Sequence, residues 1–269
     1  LYKISRCPSC GGSDFEHFAA LISRFIASYV LDCRSRGVDL LKCRACEMIF
    51  FNERYDDKEI SKLYTGYRGD EYFRVRHGME PWYTKPLNDE LGGIKSMNRR
   101  KARIQAAIVR QIGDMPVGAL LDYGGDHGQF IPDRLARVRI VYEFSGVRPV
   151  PGVKAISSLD QLNGEKVDAV LCCHVLEHCS NLDGILGEIK AVLKGVLYIE
   201  VPAERWRLVR WMPYKWGRLW LKQVSDSGKY GQLVIEFYSI CLRKIFGFIP
   251  PFGCLFMHEH INGSSGNSV

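Results

Sequence analysis

The clearest hydropathy pattern lies in residues 116–202, where short apolar runs are separated by glycine-rich or amphipathic stretches. Ala119 to Asp122 is an apolar run ending in an acid, the mark of a buried parallel strand reaching its carboxyl end. Arg139 to Glu143, Gly152 to Ile156 and the strongly apolar Val167 to Cys173 predict three further strands. A helix follows from Asn181 to Leu193, stopped by Lys194-Gly195. A fifth strand, Val196 to Val201, is closed by Pro202. Strands alternating with helices at this spacing predict a parallel sheet with right-handed crossovers. Upstream, Ile60 to Tyr67 reads as helical. Asn88 to Ile112 reads as one long helix with Leu91, Ile94, Met97, Ile104, Ile108 and Ile112 near one face. Downstream, Leu233 to Met257 is apolar but broken by Glu236, Arg243, Lys244 and Pro250-Pro251. A bilayer-spanning helix needs roughly 20 nearly uninterrupted apolar residues. The stretch therefore predicts a buried or interfacial helix ending at the prolines.

Composition narrows the class. Of 269 residues, 46% are hydrophobic and 25% charged, which excludes a disordered or collagen-like chain. The net charge of +7 suits an anionic partner, a sugar nucleotide as well as RNA. No charged segment followed by an apolar one opens the sequence, and the cysteine usage fits a reducing compartment, so a cytoplasmic location is expected.

Two Cys-x-x-Cys knuckles, Cys7/Cys10 and Cys43/Cys46, supply four thiolates. Two such pairs complete a closed tetrahedral site, which implies structural Zn2+ rather than catalysis, and Gly11 permits a left-handed turn behind the first pair. Two unrelated thiol pairs are the alternative. The long spacer leaves room for an inserted strand or short helix between Ala19 and Leu31, and Cys33 within it reads as a buried small hydrophobe.

The chemistry of the core is carried by the turn after the first strand, Tyr123-Gly124-Gly125-Asp126-His127-Gly128-Gln129-Phe130, read as a glycine-rich loop opening a helix. Such a junction lets a cofactor approach the backbone and offers free N–H groups. Glu143, ending the second strand, is placed to accept hydrogen bonds from a ribose. Ser157-Ser158 would border an adenine. His174 and His178 lie beyond the carboxyl end of the fourth strand, where ligands bind in such sheets, and are read as cofactor-facing. Neither Gly124-x-Asp126 nor Gly125-x-His127 meets the dinucleotide fingerprint of nicotinamide dehydrogenases.

The segments Leu121-Asp122-Tyr123-Gly124-Gly125, Cys173-His174-Val175-Leu176-Glu177-His178 and Leu197-Tyr198-Ile199-Glu200-Val201-Pro202 resemble class I S-adenosylmethionine-dependent methyltransferases. With the leading cysteine knuckles, the resemblance is to the zinc-containing group that includes sugar-nucleotide C-methyltransferases. It implies an α/β fold, a Rossmann-like parallel sheet with a small N-terminal zinc module. S-adenosyl-L-methionine would be held by Asp122, Gly124, Gly125, Gly128 and Glu143. Asp126 departs from the family's pattern, placing a side chain where the backbone is usually bare. The implied organisation is a zinc module at 1–52, a helical connecting segment at 53–115, the cofactor-binding core at 116–202, a helical cap at 203–262 and a flexible tail at 263–269. The family normally adds a final strand pair, for which this sequence leaves no residues, so an incomplete sheet with an exposed edge is expected.

Within the cap, Trp206, Trp211, Trp216 and Trp220 interleave with Arg205, Arg207, Arg210, Lys215 and Arg218, a pattern open to a cap over the active site, a membrane surface, a nucleic acid or a second subunit. The basic run Lys95, Arg99, Arg100, Lys101 and Arg103 reads as a solvated helix face or a phosphate contact. Tyr72, Arg76 and Tyr83 are candidates for a substrate wall or for packing. By resemblance, His260 of His258-Glu259-His260 is the general base and Glu259 orients it, removing a proton alpha to a carbonyl before the methyl is accepted. Three functions compete: methylation of a small anionic metabolite such as a nucleotide-linked sugar, methylation of RNA, and a degenerate, non-catalytic binding module.

Overall fold

The computed structural model describes residues 1–67, 69–90, 94–113, 116–144, 147–202 and 208–263. Leu91, the Lys95 side chain, Arg205, Trp206, Arg207 and the tail from residue 264 lie outside the described residues. The chain divides into two compact units: residues 1–84, 177–180 and 203–269 in the first, residues 85–176 and 181–202 in the second.

The first unit begins with β1 (Tyr2–Lys3), β2 (Phe15–Ile22), β3 (Gly37–Cys43), β4 (Ile49–Phe51) and β5 (Glu53–Arg54), then α1 (Asp57–Tyr64) and α2 (Asp70–Met79). The spacer between the cysteine pairs holds both elements the sequence allowed: β2, and a π-helical turn at Ile26–Val30. β2 and β3 pair antiparallel from Phe15↔Cys43 to Leu21↔Gly37. α1 starts on a capping box, in which the Asp56 side chain accepts from the Glu59 N–H and Glu59 reaches back to the Asp56 N–H. Ile22, Phe25, Ile26, Leu40, Phe51 and Tyr72 form the main core.

In the second unit, α3 (Lys85–Glu90) and α4 (Ile94–Ile112) precede β6 (Val117–Tyr123), β7 (Ala136–Tyr142), β8 (Lys154–Ile156), β9 (Val167–Cys173), α5 (Leu182–Val192) and β10 (Leu193–Glu200). The helix expected over 88–112 is thus described as α3 and α4, with residues 91–93 outside the description. The five strands run parallel in the order β10-β9-β6-β7-β8, a mixed α/β arrangement consistent with a Rossmann-like sheet. Alternation along the central strands feeds two cores. Leu120, Ala169 and Leu171 pack with Ile104 and Ile108 of α4, while Leu121, Val170 and Cys172 pack with Ile189 of α5. Burial on both faces explains why β9 reads as an almost continuous apolar run.

Two local expectations are corrected here. No helix follows the glycine-rich loop: residues 124–135 are turns, with Gly124, Asp126 and Gly128 at φ 66°, 54° and 69°. Left-handed residues interrupt a right-handed helix before it nucleates, and Pro132 withholds a further N–H donor. Lys194-Gly195 does not separate α5 from β10 but lies within the strand, at a register shift between Leu193 and Val196. Ser158 caps a 3₁₀ turn over Leu159–Leu162 with Gln161. β10 ends the sheet among the described residues, leaving Ile199 44% exposed.

The chain returns to the first unit with α6 (Tyr214–Asp226), α7 (Lys229–Phe246), β11 (Phe256–Met257) and β12 (Asn262–Gly263). α7 stops at Gly247, left-handed at φ 72°, just before the proline pair. β11 pairs with β2 and β12 with β4, so this unit carries a five-stranded sheet β11-β2-β3-β4-β12. Gly263, expected in the flexible tail, pairs with Ile49 instead. Of the Trp/Arg segment, Arg210 pairs with Glu16 at 3.1 Å and Arg218 with Asp39 at 2.7 Å. Among the described residues, no helix is long and apolar enough to cross a membrane.

A Cβ added at Gly195 would sit 2.2 Å from the Asp168 carbonyl oxygen, where rigid backbone cannot yield. Gly195→Ala should therefore cost about 2 kcal/mol or more of unfolding free energy in urea denaturation.

Candidate functional site

Four thiols gather at one end of the β2–β3 hairpin. Cys7 Sγ lies 3.6 Å from Cys46 Sγ, and Cys10 Sγ lies 3.5 Å from Cys43 Sγ. Four sulfurs about 2.3 Å from one zinc ion would stand roughly 3.8 Å apart, close to this spacing and far from a disulfide. The two knuckles are built alike. Gly11 donates to the Cys7 carbonyl at φ 71°, and Glu47 donates to the Cys43 carbonyl at φ 60°. The second turn therefore achieves without glycine what the first does with it. Burial raises the Cys43 thiol, but backbone N–H groups of Cys46 and Ala45 and the neighbouring thiols pull it down to about 7. Cys33 stands apart and is exposed, which corrects its reading as a buried hydrophobe.

In the second unit the loop after β6 covers a buried acid. Asp122 is 1% exposed, and neither carboxylate oxygen has a hydrogen-bond partner. A Cβ at Gly125 would fall 2.2 Å from the Asp122 Cγ, so only glycine lets the backbone lie over the carboxyl group. Gly128 serves the sheet instead, its missing Cβ leaving room for Val153 and Val141. Burial pushes Asp122 up to about 7; Arg100 opposes this, while Asp126 and Glu143 add to it. Glu143 follows β7 directly and is half-buried, its N–H donating to the Ile156 carbonyl at 3.0 Å.

Glu200, at the end of β10, gathers charge that sequence reasoning did not assign to it. Arg100 Nε donates to its Oε1 at 3.0 Å, Arg103 Nη2 at 3.1 Å, and Tyr198 Oη donates to Oε2 at 3.0 Å. His174 Nε2 lies 3.3 Å from the same carboxylate. Lys101 pairs with Asp133 at 3.2 Å. Much of the basic face of α4 is thus engaged by carboxylates of its own unit rather than presented for phosphate.

The remaining predicted residues lie in the first unit. Glu259 is held by hydrogen bonds from Tyr72 Oη, at 2.8 Å, and from Arg76 Nη1. Burial raises the Glu259 carboxyl, but Arg76, His258 and the Tyr72 hydroxyl outweigh it and hold it well below the usual carboxylate range. Arg76 also donates from Nε to Glu80 at 3.0 Å and lies 4.1 Å from the Tyr83 ring centroid. The aromatic and basic patch seen in the sequence is therefore the setting of Glu259. His260 lies against His178, their ring centroids 4.7 Å apart. His178 Nδ1 donates to the Glu259 carbonyl at 3.0 Å, and burial followed by His260 lowers its pKa, which keeps the ring neutral near pH 7. His178 thus belongs to the unit that carries Glu259 and His260, whereas Asp122, Gly124, Gly125, Gly128, Glu143 and His174 belong to the other.

Sequence reasoning missed Glu80, Glu200 and Glu236. A carboxylate within an otherwise apolar run, as Glu236 is in α7, was the available signal.

A family model described as a methyltransferase domain matches residues 97–238. No curated protein matches the chain.

The raised Asp122 pKa sets a pH dependence. Its folded value, about 7, exceeds the ordinary 3.8, so the folded chain binds the extra proton and stability falls as pH rises from about 4 to about 7. Thermal melts across that range should fall less steeply with pH in Asp122→Asn than in the parent.

Proposed function

The chain belongs to the methyltransferase domain family, and on that premise we propose an S-adenosylmethionine-dependent methyltransferase acting on a nucleotide-linked sugar or similar small anionic metabolite. The observation that carries the cofactor reading is Asp122, two buried acceptor oxygens without partners beneath a loop that glycine keeps bare. An unpaired buried carboxylate is costly, and a ligand ammonium would relieve the cost. Glu143 suits the ribose hydroxyls, Gly124 and Gly125 form the turn that would face the ligand, and His174, fixed near Glu200, would border it. When bound, S-adenosylmethionine supplies a methyl group made electrophilic by its sulfonium.

His260 takes the acceptor's proton in this reading. The low pKa of neighbouring His178 means that only one of the two imidazoles need carry charge. Glu259 contributes by tying its segment to α2 through Arg76 and Tyr72. Residues 1–52 form the zinc module, 53–115 the connecting segment, 116–202 the cofactor-binding core and 203–262 the cap, in a protein of the cytoplasm. The internally paired Arg100, Arg103 and Lys101 count against an RNA substrate.

One observation favours a second reading, a binding module without turnover: turns replace the helix after the glycine loop, and the left-handed Asp126 projects a side chain there. Turnover separates the two.

Isothermal titration with S-adenosylhomocysteine should show binding that weakens at least about tenfold in Asp122→Ala; no binding to the parent chain overturns the proposal. With a keto-sugar nucleotide as acceptor, His260→Gln should lower kcat about a hundredfold and leave that affinity unchanged. The four-cysteine site should release one zinc ion per chain on thiol modification, with a lower melting temperature.

A further inference from the structure

The interior of the first unit holds a set of donors that neither the thiolate cluster nor the proposed methyl transfer uses. Glu80 caps α2 at its C-terminal end, Glu236 lies midway along α7, and His258 follows β11. Glu80 is 1% and Glu236 0% exposed. Their inward oxygens, Glu80 Oε1 and Glu236 Oε2, have no hydrogen-bond partner. Taken one ligand atom from each residue, the three donors lie within 4.8 Å of one another, with His258 Nε2 3.4 Å from Glu80 Oε1. Ligands around a divalent cation at about 2.1 Å stand roughly 3.0–3.5 Å apart, so this edge already has the length that coordination requires.

We propose that Glu80, Glu236 and His258 form a second metal site, distinct from the four cysteines, that binds a divalent transition-metal cation through two carboxylates and one imidazole.

The surroundings are arranged as a metal site requires. Glu80 is oriented through its other oxygen, which accepts from Arg76 Nε at 3.0 Å, leaving Oε1 for the cation. His258 Nδ1 lies 3.9 Å from Glu259 Oε2, beyond hydrogen-bond range, and is itself buried without a partner. The charge also fits: Glu80, Glu236 and Glu259 are opposed by Arg76 and Arg24, leaving an excess of negative charge for a cation to neutralise. Oxygen and nitrogen donors favour manganese, iron(II) or zinc, whereas four thiolates disfavour manganese. Filling the site would join α2, α7 and the segment leading to His260 through one ion.

The test is total metal content and needs neither cofactor nor methyl transfer. The intact protein is equilibrated with Mn2+ and Zn2+, freed of unbound ions by gel filtration, and analysed by plasma mass spectrometry. Two metal ions per chain are expected, only one of them released by thiol modification. Glu236→Gln, which keeps the shape and removes the charge, and His258→Gln should each lose the thiol-independent ion and nothing else. Each variant is checked by circular dichroism. Should Glu236→Gln fail to fold, His258→Gln at its partly exposed position decides the question. A single ion per chain in the parent, or unchanged metal content in the folded variants, overturns the site.

Discussion

Charge buried in an apolar interior must find a counter-charge, a hydrogen bond or a proton, and both units of this protein are organised around that requirement. In the first unit the solution is pairing. Arg76 lies among aromatic rings and reaches Glu80 and Glu259 at once, so one guanidinium serves a helix end and the segment ahead of His260. Arg54, fully buried, reaches Asn262 at 2.7 Å and lies 5.5 Å from the centre of the Phe50 ring. Burial still lowers its pKa to about 10. In the second unit Asp122 stays without a hydrogen-bond partner, and the protein keeps it neutral over part of the pH range instead. A buried acid left in this state is a place where a ligand's positive charge gains most.

The glycine loop shows how a family pattern can persist while its local structure changes. Gly125 lets the backbone lie directly over Asp122 and Gly124 leaves room for Val175, yet the turn does not open into a helix. The turn lacks the aligned N–H groups and dipole that a helix start provides. The proposed cofactor binding would therefore rest more heavily on Asp122 and Glu143 than the family pattern implies.

Legibility followed the range of the interaction. The two knuckles were readable because each is a local turn whose cysteines sit three positions apart, and the structure brings all four together. The central strands β6 and β9 were readable because burial on both faces removes most polar residues from them. Glu259, Tyr72 and Arg76 were each picked out, but their pairing was not, since Tyr72 and Arg76 lie more than 180 residues before Glu259. Glu80, Glu236 and His258 share no spacing at all. They meet only because the fold brings the end of α2, the middle of α7 and the residue after β11 together.

The sequence by itself determined the thiolate pairs, the five apolar strands, the glycines that bare the loop and the end of α7 before the prolines. Each of these follows from the conformational limits of neighbouring residues or from a burial pattern repeated along one segment. Tertiary structure alone decided that the basic face of α4 pairs with Glu200 and Asp133 and that Glu259 is held by Arg76. Those outcomes depend on which distant groups share a low-dielectric interior, and no local pattern encodes that.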